Sequence, residues 1–483
     1  MNPLHFTDGY KVDHRSQYPE GTTLVYSNLT PRSTRVEGAS GVIFFGLQYA
    51  IKAYLQKSFE RDFFQQPKER VVGRYKRRVE AYLGPDAITF DHVSALHDLG
   101  YLPVEIRALP EGTFVPLKVP VLTIHNTHPD FFWLTNYLET LLSAILWLPC
   151  TSATTAASFR RLLHQYAEST GSDTNFVPWQ GHDFSFRGMG GVEAALMSGA
   201  AHLLSFYGTD SIPAIDFLEE WYGADAGEEL VGGSVPATEH SVMCMGTEQG
   251  EISTFRRLIE DVYPKGVVSI VSDTWDFWQV LTDFMPQLKS SILNRAGKVV
   301  IRPDSGDPVH IICGDPDATP GTPEYKGAVT CLWEVFGGSE TEKGYKLLDP
   351  HIGLIYGDSI TKERCQAICE GLMAKGFATG NIVFGIGSYT YQYVTRDNFG
   401  FAMKATYGEV NGEGRAIFKA PKTDDGSKRS ARGLLRIDRN ANGDLVLTDQ
   451  CTWEMANGGL LEPVFRDGVL LQETTLADIR KRV

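Results

Sequence analysis

Cysteine is scarce. Seven residues in 483, odd in number, are scattered at 150, 244, 313, 331, 365, 369 and 451. This spacing excludes a disulfide framework and reads as buried thiols in a reducing compartment, so a cytoplasmic location is expected. Cys365 and Cys369 fall four apart on an expected helix, but no Cys or His pair completes a metal set, and His125 and His128 in HNTH also lack partners. Basic charge is in the minority: 45 Lys and Arg against 59 Asp and Glu leave a net charge of −14. That balance argues against nucleic acid or an anionic membrane as partner, and a phosphate-bearing ligand would need a local basic site. Long apolar runs are missing with one exception, 131–149, which carries Asn136 and Glu139 and reads as a buried helix. The polar start MNPLHFTDGYKVDH has no apolar signal segment. Gly and Pro, 48 and 24 residues, are too few for a low-complexity chain. What remains, 42% hydrophobic and 11% aromatic, can bury a large core in two or three domains or in one barrel with additions.

The pattern along the chain predicts helices at 46–58, 66–83 and 89–99, then strands within 103–126, then two long helices at 129–148 and 151–169. The helix at 66–83 is rich in base, but no aromatic platform is interleaved, so it reads as a solvated face. Between 266 and 390 lie four short Val- and Ile-rich runs: VVSIVSD (267–273), KVVIRPDSG (298–306), IGLIYGDS (352–359) and NIVFGIGS (381–388). Apolar throughout and separated by helix-compatible segments, they predict parallel strands buried on both faces. Each ends in polar or glycine residues: Asp273, then Arg302 and Asp304, then Asp358, then Gly385 and Gly387. Polar groups in register at strand C-termini are where an α/β barrel builds its active site, and the FGIGS turn suits phosphate. GDPDATPGTPEYKG (314–327) is expected as an excursion over that rim, and hairpins are expected after 404 at NGEG and NANGD.

Three further segments concentrate chemistry. HDFSFRG (182–188) sets His182, Asp183 and Phe184 near Arg187, so that a ring can stack a flat ligand while the arginine pairs an anion; the alternative is a strand with Phe184 and Phe186 alternating. GTDS (208–211) offers Asp210 as a turn carboxylate or helix cap. SVPATEHS (234–241) places Glu239 beside His240 in a loop of small residues.

TDGYK (7–11), YSNLTPR (26–32), FGLQY (45–49), WLTNYLET (133–140), HDFSFRG, GTD, SVPATEHS, VSIVSD, IRPDSG, KGYKLL (343–348), YGDS and TRD (395–397) occur in this order. In that ordered set the chain resembles the nicotinamide phosphoribosyltransferase family from residue 7 to past 430. The resemblance implies an irregular α/β barrel of the nicotinate/quinolinate phosphoribosyltransferase kind. Packed with it would be a β-rich domain drawn from N- and C-terminal segments, with 1–150, 151–400 and 401–483 as the N-terminal, barrel and C-terminal portions. It also implies a homodimer with shared sites that makes nicotinamide mononucleotide and pyrophosphate from nicotinamide and phosphoribosyl pyrophosphate, with Mg²⁺, assisted by ATP through a phosphohistidine.

Carried over by motif, Phe184 and Tyr10 would sandwich the nicotinamide ring, with Tyr10 arriving from the second subunit, Arg187 at the ring edge and Asp8 a further nicotinamide contact. Asp210 would accept a hydrogen bond from the carboxamide and repel the carboxylate of nicotinate. Asp273 and Asp304 match the ribose-side carboxylates near Mg²⁺-bound pyrophosphate. Arg302, Gly357, Asp358, Gly387 and Ser388 match the phosphate and ribose pocket. Arg32, Arg396 and Lys404 match contacts to pyrophosphate or ATP, the last two from the partner. His240 matches the phosphorylated histidine, with Glu239 placed to orient it. The chain departs from the family pattern at Thr34, at the GIGS turn and at Ala402, all on the phosphate side. Rival readings are nicotinate phosphoribosyl transfer, against which Asp210 stands, and glycoside hydrolysis by carboxylates among Asp273, Asp304 and Asp358, which the arginines fit poorly. A non-catalytic scaffold on the same fold is the third.

Overall fold

The computed structural model describes residues 1–418 and 431–483. The chain divides into two compact units, one of Met1–Thr154, Phe217–Ala224 and Thr395–Val483, the other of Thr155–Asp216 and Asp225–Val394.

In the second unit the four apolar runs are adjacent parallel strands: Ile382–Ile386, Ile352–Tyr356, Val299–Arg302 and Val268–Val271, in that order across the sheet. Ile352–Tyr356 is buried at every position, as expected of a strand covered on both faces. Two shorter strands extend the sheet beyond Ile382–Ile386, first Gly181–Asp183 and then Gly208–Thr209, again parallel. The ring is completed by an extended segment without regular strand structure. Gly233 bridges Gly208 and Ala237 bridges Ser269, both in parallel sense, with Thr209 N–H donating to the Gly233 carbonyl and Thr238 N–H to that of Ser269 at 3.0 Å each. The result is an α/β barrel made irregular by this loosely bonded seventh element. Its core joins Ile270, Ile301, Leu354, Phe384 and Ile386 to helical residues such as Phe159, Phe255, Leu288 and Leu372.

The segment expected to cross the rim is instead part of a helical crossover. Asp307 caps Pro308–Cys313 by accepting from the N–H groups of Val309 and His310, and Pro308 occupies the first turn, where its missing N–H costs nothing. Ile312 and Cys313 from this helix, with Val329 and Leu332 from Ala328–Phe336, are buried in the barrel core. Apolar residues flanking the Gly/Pro stretch decide its course.

The first unit holds a seven-stranded antiparallel sheet. Its order is Glu413–Ala416, Phe401–Val410, Thr22–Pro31, Leu122–Asn126, Val104–Ala108, Glu462–Arg466 and Val469–Leu470. N- and C-terminal segments therefore share one sheet. The expected helices appear as Leu47–Tyr49 continuing into wider turns at Ala50–Ser58, as Lys68–Leu83 and as Asp91–Leu99. Val71, Tyr75 and Val79 bury one face of the basic helix, and Lys68 pairs with Asp98 on the exposed one at 2.6 Å.

The two long helices expected at 129–148 and 151–169 are differently divided. A turn at Pro129–Phe131 and a short helix Leu134–Tyr137 precede one 32-residue helix, Glu139–Thr170, with Pro149 inside it. Proline removes a helical donor and ordinarily breaks the pattern. Here Thr151 and Thr154 return hydroxyl bonds to the carbonyls of Trp147 and Cys150 at 2.7 and 2.6 Å, while Leu142, Leu146, Cys150 and Ala153 are fully buried around the proline. Among the described residues this is the one helix long and apolar enough to cross a membrane, and 72% of its most apolar window is buried.

Candidate active site

The strand C-termini of the barrel surround a cavity of about 360 Å³ lined by Phe184, Arg187, Asp210, Arg302, Asp304 and Gly357. Asp358, Ser359, Gly387, Ser388 and Tyr389 complete its wall. Parallel strands all point the same way, so residues distant in sequence meet at one end of the ring.

Phe184 follows the Gly181–Asp183 strand, and its N–H donates to the Ile386 carbonyl at 3.0 Å. Its ring lies on a floor of glycine. A Cβ at Gly385 would stand 2.5 Å from Phe184 Cδ2 and 2.8 Å from the Gly357 Cα, so no larger residue fits beneath the ring. The strand alternative for 182–188 fails after Asp183, because Phe186–Gly188 is a tight helical turn that leaves Arg187 exposed.

Asp210 is braced by two side chains, His182 and Ser234. Its Oδ1 lies 2.8 Å from His182 Nε2 and accepts from Ser234 Oγ at 2.8 Å. Burial opposes its ionisation, but the bonds from His182 and Ser234 and the charge of Arg302 together outweigh that cost and hold the carboxyl below its ordinary pKa. The His182 ring in turn stands 4.6 Å from the Phe184 ring. The adjacency of His182 to Phe184 was visible in HDFSFRG. Its convergence with Ser234 was not, since it depends on the neighbouring short strand and the closing segment.

On the opposite side, Asp273 Oδ2 accepts three hydrogen bonds, from Asp304 N–H and Ser305 N–H at 2.8 Å and from Ser305 Oγ at 2.6 Å. Asp273 thereby fixes the loop that carries Asp304. Its other oxygen faces His240 Nε2 at 3.4 Å. The expectation that Glu239 orients His240 is corrected: the Glu239 carboxylate takes the Ser241 hydroxyl, and the buried carboxylate beside the half-exposed imidazole is Asp273. Neighbours in sequence at a helix start diverge in direction, whereas the next barrel strand ends opposite the imidazole.

Arg302 donates to the Thr238 carbonyl at 2.6 Å, and its Nε lies 3.7 Å from Asp304 Oδ1. Burial raises the pKa of the Asp304 carboxyl; Arg302 opposes the shift, and the carboxylates of Asp273 and Asp358 add to it. Asp358 accepts from Ser359 Oγ at 2.9 Å, and Ser359 itself has φ of +52°, an uncommon backbone state for a side chain of this type. Gly387 precedes the short helix Ser388–Tyr391 and has open space where a Cβ would stand.

The remaining expected residues belong to the first unit. Tyr10 is 64% exposed, against the edge of His14 and beneath Lys11. Asp8 accepts from Thr140 Oγ1 at 2.7 Å. Arg32 donates to the Gly400 carbonyl at 3.2 Å, and Arg396 is exposed beside Asp397. Lys404 lies on the Phe401–Val410 strand opposite Asn28. Thr34 and Ala402, where the chain departs from the family pattern, flank these positions.

Comparison with known proteins agrees with this geometry. Residues 179–457 match the nicotinate phosphoribosyltransferase family, and residues 2–106 match the nicotinamide phosphoribosyltransferase N-terminal domain. A nicotinamide phosphoribosyltransferase of Acinetobacter baylyi is 56% identical, covering 100% of this chain and 97% of that protein. One from Mycoplasma pneumoniae is 35% identical over 88% of this chain and 93% of its own length. In fold, the chain is similar to nicotinate-nucleotide pyrophosphorylase from Pyrococcus furiosus, with a TM-score of 0.58 at 15% identity, covering 99% of this chain and 94% of that one. Human nicotinic acid phosphoribosyltransferase gives a TM-score of 0.53 at 16% identity, covering 99% and 92%. By its full-length relatives and by both family matches, the chain belongs to the nicotinamide phosphoribosyltransferase family.

Proposed function

We propose that the chain transfers the 5-phosphoribosyl group of phosphoribosyl pyrophosphate to nicotinamide, giving nicotinamide mononucleotide and pyrophosphate in NAD salvage. The pyridine nitrogen attacks the anomeric carbon, the carbon–oxygen bond to pyrophosphate breaks, and that electron pair leaves on pyrophosphate. The observation that carries this reading is Asp210, held ionised by His182 and Ser234 at the cavity that Phe184 lines. An anionic acceptor there bonds the N–H₂ of an amide and repels the carboxylate of an acid. Phe184 stacks the ring, Arg302 and the Gly387–Ser388 turn receive phosphate, and Asp304 faces the cation-like sugar of the transition state.

Mg²⁺ would arrive with pyrophosphate. The carboxylates of Asp304 and Asp358 line the cavity and are oxygen donors of the kind it takes, while Asp273 Oδ2 is already occupied by three donors. Bound there, the ion would neutralise charge on the departing group. We assign ATP assistance to His240: with Nε2 toward Asp273, Nδ1 is left to attack the γ-phosphorus of ATP, whose bond to the bridging oxygen breaks as that electron pair leaves on ADP. As a homodimer with shared sites, the chain would use Tyr10, Arg396 and Lys404 of the second copy. The free cysteines, all buried except Cys244, suit a reducing cytoplasm.

An end-point assay with Mg²⁺ and phosphoribosyl pyrophosphate tests the reading. Nicotinamide and nicotinate are offered separately, with and without ATP, to the native chain and to His240→Ala. The expected result is mononucleotide from the amide, stimulated by ATP in the native chain and unstimulated in the variant. Product from nicotinate alone would overturn the assignment of Asp210, and full ATP stimulation in His240→Ala would overturn that of His240.

A further inference from the structure

Beneath the cavity lies a polar group with no place in the reaction as described. His202 is fully buried at the end of the Val192–His202 helix. Its Nε2 lies 3.0 Å from the Gly208 carbonyl and its Nδ1 2.7 Å from Tyr391 Oη. A carbonyl can only accept, so Nε2 carries the proton, Nδ1 is the acceptor, and Tyr391 donates its hydroxyl hydrogen to it. Burial presses the imidazole toward its neutral form, with the pKa down to about 4, although the nearby Asp183 carboxylate pulls the other way. The arrangement therefore persists unchanged through the neutral range.

The two groups that the imidazole joins, and the Asp183 carboxylate near it, each belong to a segment that runs to the cavity. Gly208 begins the strand that ends next to Asp210. Tyr391 ends the short helix that starts at Ser388, just after Gly387. Asp183, also fully buried, accepts from Ser185 N–H through its side chain and from Asp210 N–H through its carbonyl, both at 2.9 Å. The second oxygen of Asp183 has no hydrogen-bond partner among the described residues. A Cβ at Gly199, on the helix that carries His202, would stand 3.3 Å from that oxygen. The helix thus lies close over Asp183 as well as delivering the imidazole. Among the described residues Tyr391 makes no other side-chain hydrogen bond, so the imidazole anchors the Tyr391 end of the Ser388–Tyr391 helix, while Thr390 Oγ1 ties its middle to the Ile360 carbonyl at 2.8 Å.

We propose that His202 is a positioning residue that locks the amide-binding wall and the phosphate-binding turn into one register, through the Gly208 carbonyl on one side and the Tyr391 hydroxyl on the other. This rests on the transfer reaction proposed above, and it divides the labour in a way a merely structural histidine would not. Cutting the Tyr391 link frees only the phosphate side. Removing the imidazole frees both.

Tyr391→Phe keeps the ring and deletes the hydroxyl. It is expected to raise KM for phosphoribosyl pyrophosphate about threefold to tenfold, the range of one buried hydrogen bond, with KM for nicotinamide changed less than about twofold. His202→Leu, which offers neither donor nor acceptor, is expected to raise both constants, and the double variant to behave as His202→Leu alone, because the hydroxyl has then already lost its acceptor. Binding of phosphoribosyl pyrophosphate with Mg²⁺ is measured in parallel by calorimetry, so that a variant slow in chemistry still reports on the phosphate side. Equal changes in both constants for Tyr391→Phe, or none, would overturn the proposal while leaving the transfer reading intact, as would additive effects in the double variant. A native chain that binds phosphoribosyl pyrophosphate yet makes no product would remove the transfer reading and this proposal with it. If His202→Leu does not fold, the split in Tyr391→Phe decides by itself.

Discussion

The two units use β-structure in opposite ways. In the barrel of the second, strands of two to five residues run parallel, and the C-termini of five of the six line one cavity. In the first, ten-residue strands run antiparallel, Thr22–Pro31 against Phe401–Val410, so that Asn28 bonds a carbonyl 376 residues away. Antiparallel neighbours present alternating ends and cannot gather polar side chains at one rim. The residues expected of the first unit accordingly come singly, Asp8 and Tyr10 from an early turn, Arg32 after one strand, Arg396 from a turn and Lys404 from within another strand. Convergence of chemistry follows strand direction more than strand length.

If that contrast holds, small changes in the barrel should damage the reaction and similar changes in the sheet unit should damage only stability. The largest effect is expected from Gly385→Ala, whose new Cβ would meet Phe184 at 2.5 Å. Displacing the ring should lower kcat/KM for nicotinamide about a hundredfold. Gly387→Ala meets no heavy atom within 4 Å and should leave the thermal midpoint unchanged, so that any effect falls on the phosphoribosyl substrate. If the two alanines behave alike, the glycine floor is not what seats the ring.

Gly46→Ala is the counterpart in the first unit. Gly46 has φ of +105° and lies under Pro149, whose Cγ would stand 2.7 Å from the added Cβ. The expected outcome is a loss of roughly 1–3 kcal/mol in urea unfolding with unchanged KM for both substrates; a changed KM would tie this turn to the reaction.

The smallest effect separates the units by pH. His92 in the first unit and His202 in the second are both pushed down to about 4 by burial. Below pH ~6.5 the unfolded chain binds protons that the folded chain refuses until about pH 4. Stability therefore falls as pH drops through that window, and above it neither group contributes further change. His92→Leu, which keeps an apolar side chain against Trp133, should flatten part of this slope in thermal melts between pH 4 and 7. An unaltered slope would show that His92 takes up its proton in the folded protein at the same pH as in the unfolded chain.

Much of the barrel was legible in the sequence because its four central strands are rich in Val and Ile and buried on both faces, and their polar endings fell in register. Gly208–Thr209 was not legible as a strand, and Gly181–Asp183 only as the start of the longer strand alternative at 182–188, since two or three residues carry no periodicity, and the closing segment at 233–238 makes only two strand-like bridges among the described residues. With those elements hidden, the bracing of Asp210 by His182 and Ser234 could not be foreseen, nor could the pairing of His240 with Asp273 in place of Glu239. Pro149 misled for another reason: threonine back-bonds and burial on all sides outweighed its local preference.

The central claim is that Asp210 selects the amide, and the direct measurement is the ratio of kcat/KM for nicotinamide over nicotinate in the native chain and in Asp210→Asn. Removing the anionic acceptor is expected to lower that ratio by at least about tenfold, chiefly by admitting nicotinate. A ratio unchanged in Asp210→Asn would contradict the account and move the source of selection elsewhere in the cavity.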